Sequence, residues 1–70
     1  MSLNFAIEIE REDDGRWLAE IPSLPGVMAY GNSEEEAIRS VQALALHVLA
    51  DRVSQGTADK DLVVSFACSR

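Results

Sequence analysis

Carboxylates are the groups in this 70-residue chain whose number and spacing most suggest chemistry. Glu8, Glu10 and Glu12 alternate with other residues, Asp13 and Asp14 follow at once, and Glu34, Glu35 and Glu36 form a second cluster. Two-metal phosphodiester hydrolysis needs carboxylates that converge from separate elements on a pair of divalent ions. Glu8 or Glu10 would supply one such group and Glu34 or Glu35 another. The last apolar segment, Leu62 to Cys68, holds no carboxylate to complete the set, which argues against a nuclease centre. Asp13-Asp14-Gly15 is not a calcium loop, because that device places ligands at alternating positions over twelve residues. His47 is the single histidine and Cys68 the single cysteine, too few for a zinc site. Ser23, Ser33 and Ser40 lack the partners of a triad. Glycine at Pro25-Gly26 does not make a phosphate cradle, and the following helix opens with three glutamates that repel an anion. The residue types therefore predict no catalytic residue, no metal ligands and no cofactor.

The elements that position these groups follow from periodicity. In "LNFAIEIERE", Leu3, Phe5, Ile7 and Ile9 share one phase and Glu8, Glu10 and Glu12 the other, which reads as a strand with one dry face. "RWLAEI" is a second strand, with Trp17, Ala19 and Ile21 in phase. A two-residue turn at Asp14-Gly15 would set Ile9 opposite Glu20. A three-residue loop, Asp13-Asp14-Gly15, sets Ile9 opposite Ala19 and Ile7 opposite Ile21, with Gly15 left-handed in a type I turn plus bulge. Pro22 ends the second strand because it has no amide to donate. Leu24-Pro25-Gly26-Val27 fits a type II turn with Gly26 at φ > 0. A third strand follows over Val27 to Tyr30, and Gly31-Asn32 leads out of it.

Ser33 is placed to cap a helix, with Glu36 completing a capping box and three glutamates in the first turn favouring the positive end of the helix dipole. The helix spans about Glu34 to Val53 on a stripe of Ala37, Ile38, Val41, Leu44, Ala45, Val48 and Leu49, with Gly56 as its stop. His47 lies roughly 130° from the centre of that stripe, on the surface side. "DLVVSFACS" is a last strand, apolar in both phases, which predicts burial on two sides with Cys68 as core filling. The order β-β-β-α-β, with hairpin links and a right-handed crossover, predicts an α+β domain with sheet order 3-2-1-4 and one helix on one face. The other face would carry Leu18, Met28 and Tyr30, or alternatively Trp17, among the acids.

Seventy residues make one domain. A chain of this size buries only about 60% of its unfolded surface, and one cysteine allows no internal disulfide, so self-association is the cheapest added support. The lone cysteine and the lack of a long apolar run point to a reducing cytosol. The net charge of −6 is unevenly spread: residues 1–36 hold nine acids against two arginines, and residues 37–70 three acids against four bases. Such a surface repels phosphate backbones and suits a basic protein partner, though acids also simply keep a small protein in solution.

The stretch "DDGRWLAEIPSLPGVMAYGNSEEEA" resembles the signature of HicB-type antitoxins. The resemblance rests on Asp14, Gly15, Trp17, Pro22, Leu24-Pro25-Gly26, Ala29, Gly31 and Glu35-Glu36-Ala37, and spans about half the chain. It implies a truncated ribonuclease H-like fold and a small, basic, RNA-cleaving toxin of the HicA type as partner, bound at its RNA-facing site. Many such antitoxins carry a C-terminal DNA-binding domain; none is expected here, and given the acidic surface no direct DNA or RNA binding is expected either. The partner contacts expected are Glu12, Asp13 and Asp14 at the hairpin tip, then Glu34 and Glu35, with Trp17 and Leu24 as apolar alternatives. The competing reading is a stand-alone oligomeric domain that binds a small ligand or another regulator.

Overall fold

The computed structural model describes residues 1–56 and 60–69. The chain runs β1 (Ser2–Arg11), β2 (Trp17–Glu20), β3 (Met28–Gly31), α1 (Glu34–Ser54) and β4 (Val63–Ser69). The strands form one sheet ordered β3-β2-β1-β4, as the pattern of the sequence predicts, with β1 antiparallel to β2 and parallel to β4.

The first hairpin takes the three-residue loop. Ile9 faces Ala19, and the Gly15 N–H donates to the Glu12 carbonyl at 3.0 Å with Gly15 at φ +89°. Ile7 and Ile21 extend the same dry face and are fully buried. The second turn closes as expected: the Val27 N–H donates to the Leu24 carbonyl at 3.0 Å, with Gly26 at φ +83°. Val27 is committed to this turn, so β3 starts one residue later than its apolar run suggests. A Cβ on Gly15 or Gly26 would meet nothing within 4 Å, so substitution there strains only the backbone. Gly15→Val and Gly26→Val should each lower stability by about 1–3 kcal/mol in urea melts. Unchanged midpoints for both would discard these turn conformations.

Ser33 caps α1, its Oγ accepting from the Glu36 N–H at 3.1 Å. At the other end the Gly56 N–H donates to the Val53 carbonyl at 3.0 Å with φ +77°. The helix buries Ala37, Val41, Ala45 and Leu49 against Phe5, Ile7, Ala19, Ile21, Leu24 and Val27, and half-buries Ile38, Leu44 and Val48 at the margins. It lies chiefly over β3 and β2 and barely reaches β1.

That placement corrects the reading of β4. The strand is not buried on two sides: Val63 is 57% exposed, Ala67 and Cys68 are exposed, and only Val64 and Phe66 are half-buried. The Phe66 ring packs 5.9 Å from that of Phe5. Cys68 shares the helix-side face with Ile7, its partner in the ladder, but the helix crosses the other half of the sheet and leaves it uncovered.

Candidate functional site

Topology brings two acidic segments to one end of the molecule. Strands β1 and β3 run parallel and finish together where β2 starts, and the described part of β4, parallel to them, ends opposite Glu8. Gly31, opposite Trp17 at that end, is followed two residues later by the helix cap. A Cβ on Gly31 would lie 2.5 Å from the Ala37 backbone nitrogen, so the absence of a side chain is what lets the helix start so close to the sheet. The hairpin tip and the first helical turn thus share one end of a molecule measuring 42 × 18 × 17 Å.

The hairpin tip divides the expected contacts. Asp13 is exposed and Glu12 half-buried. Asp14 is committed to the turn: its carboxylate accepts the Arg16 backbone N–H at 3.0 Å and the Arg16 Nε–H at 2.8 Å. Those two bonds, the backbone one foremost, hold its pKa below the ordinary value. Glu35 is exposed and Glu34 half-buried, and both line an open hollow of about 510 Å³ with Ser33, Ile38 and Cys68. Glu36 is exposed beside them, its N–H held by the cap.

The sheet face away from the helix adds residues that were not among the expected contacts. Glu8 faces Glu20, and Glu10 faces Leu18, around a shallow hollow of about 90 Å³. Leu18 in turn faces Tyr30, and Glu20 faces Met28. Tyr30 and Met28 are exposed, and the Arg16 guanidinium lies 4.4 Å from the Tyr30 ring centre. Like charges directly opposite across a sheet are destabilising. The signal for this patch was available: the register that sets Ile9 opposite Ala19 also sets Glu8 opposite Glu20.

The apolar alternatives lie elsewhere. Trp17 is on the helix side, half-buried, with the Arg11 guanidinium 6.0 Å from its ring centre. Leu24 is only 4% exposed, because the turn folds it under the helix; it belongs to the core and offers no contact surface. Pro22, Pro25 and Gly26 are exposed around it and shape the loop. His47 is exposed on the outer helix surface.

Among the described residues, no group of three or more His, Cys, Asp or Glu side chains is arranged to hold a metal ion, and no helix is long and apolar enough to cross a membrane. Comparison with family models, curated proteins and solved structures finds no match to this chain. The hairpin tip and the first helical turn lie at one end of the molecule, and Glu8, Glu10 and Glu20 form a separate acidic patch on the sheet face away from the helix.

Proposed function

We propose that the chain is a HicB-like antitoxin module that neutralises a small, basic ribonuclease of the HicA type by protein–protein contact in the cytosol. The observation that carries this reading is the placing of the hairpin tip and the helix start at one end of an elongated molecule, with Glu8, Glu10 and Glu20 as a further acidic patch on the open sheet face. An RNA-cleaving partner presents a basic groove, and carboxylates spaced over a rigid sheet occupy it where phosphates would lie. The same field keeps the module itself off nucleic acid. The expected fold order and the two glycine turns of the "DDG" and "LPG" segments support the reading. A stand-alone oligomeric domain is the second reading, favoured by the uncovered β4.

The test uses the basic protein that co-purifies with the chain from its native host. Glu8→Gln, Glu10→Gln and Glu20→Gln together should slow association by about tenfold at low salt and flatten its salt dependence. The same change should leave the melting midpoint equal or higher, because it removes an opposed pair of like charges worth roughly 0.2–1 kcal/mol. An association rate unchanged at both salt concentrations would overturn the acidic contact. Failure of the complex to inhibit RNA cleavage by the partner would overturn the antitoxin reading.

A further inference from the structure

Backbone parity on β4 shows which of its main-chain groups face outward from the sheet. The Val63 N–H donates to the Met1 carbonyl at 2.9 Å, so Val63 turns its amide and carbonyl toward β1. Successive residues of a strand alternate in this respect. Ser65, Ala67 and Ser69 therefore also face β1, and Val64, Phe66 and Cys68 present their N–H and C=O groups outward along the edge of the sheet. Natural edge strands are blunted by charge, proline, bulges or shortness. The other edge, β3, is four residues long and lies under the helix. β4 has seven residues, no charge, no proline and no glycine, and the helix does not cover it.

We propose that this edge pairs with the β4 edge of a second copy, antiparallel about a two-fold axis through Phe66, joining the two sheets into one of eight strands. The register follows from the parity. Outward groups bond reciprocally only when outward residues face each other. Centring on Phe66 sets Phe66 opposite Phe66 and Val64 opposite Cys68, so every outward N–H and C=O of β4 has a partner. It also overlaps the whole of Val63–Ser69, whereas a shift of two residues either way leaves outward groups unpaired.

The occupant follows from charge and symmetry. Two chains of net charge −6 repel least where neither carries charge, and β4 is such a surface. Antiparallel pairing also sends the two acidic ends in opposite directions, whereas parallel pairing would set them side by side. The dimer leaves both acidic ends accessible, so it stands independently of the partner proposed above.

Light scattering on the intact chain across a concentration series should give twice the 7.6 kDa chain mass at micromolar concentration. Ser65 and Ala67 are exposed on the open face and lie opposite each other in the proposed register. Ser65→Lys with Ala67→Lys should raise the dimer dissociation constant about tenfold or more, because four like charges then meet across the axis. In a Cys68→Ser background, copies with Ser65→Cys mixed with copies with Ala67→Cys should oxidise to the mixed disulfide faster than either alone. A monomer at all concentrations overturns the proposal, as does a dimer that survives the lysines unweakened. Preferential cross-linking within one variant overturns the register.

Discussion

Gly31→Ala should destabilise the protein by about 3 kcal/mol, an unusually large effect for one methyl group. Overpacking a core costs about 1–3 kcal/mol and occasionally more, and here the obstruction is backbone. The new Cβ would lie 2.5 Å from the Ala37 nitrogen and 3.0 Å from both the Ala37 Cα and the Glu36 carbonyl carbon. None of these atoms can rotate away. The helix start is also pinned by the Ser33 cap, so relief requires the first turn to lift from β3 as a unit. A domain of this size has little stability to lose, and a loss of that order should leave a measurable unfolded population at 37 °C. Urea melts followed by circular dichroism measure the effect. Ala37→Gly should not rescue the variant, because the clash is with main-chain atoms. A wild-type midpoint in Gly31→Ala would mean that the helix does not begin against β3.

Leu24→Ala should cost a similar amount, about 3 kcal/mol, and should leave partner association unchanged per folded molecule. Truncating a buried leucine removes its transfer energy and leaves a cavity, with typical losses of about 2–5 kcal/mol. Leu24 is held from both directions: its N–H donates to the Ile21 carbonyl and its carbonyl accepts from Val27, each at 3.0 Å. The loop therefore has little freedom to collapse into the space. Melting midpoint and association rate measured on the same preparation separate the two roles of this residue. A normal melt with weakened association would return Leu24 to the contact surface and remove it from the core.

Leu24 marks where the sequence ceased to be legible. The "LPG" motif specifies a turn through local chemistry, and that turn forms. Whether the leucine before the proline points inward depends on where the helix lies over the sheet, and no local pattern encodes that. The same fact explains β4. Its apolar residues in both phases read as a strand covered on two sides, but the helix crosses β2 and β3, so the strand forms an exposed edge. Strand phase, hairpin register, cap and helix stripe were legible because each is a short-range constraint with a strong penalty for error. The same hairpin register that pairs Ile9 with Ala19 also sets Glu8 against Glu20. Asp14 shows the reverse case. Its charge suggested a contact, but its bonds to Arg16 were set by the turn that Gly15 allows.

The parallel pairing of β1 with β4 has a consequence for how the protein is made. The first strand sits in the interior of the sheet, yet its neighbour on one side is the last of the described elements. The Met1 amino group donates to the Asp61 carbonyl across 60 positions, and Phe5 awaits Phe66. β4 follows β1, its hairpin and the helix in the chain, so it emerges from the ribosome after them. During that interval one edge of β1, with Leu3 and Phe5 beside it, stays open to any other nascent strand. Closing so long a loop adds little entropy cost for its length, but non-local pairing of this kind is slow. The open edge of β1 is closed only when β4 pairs with it.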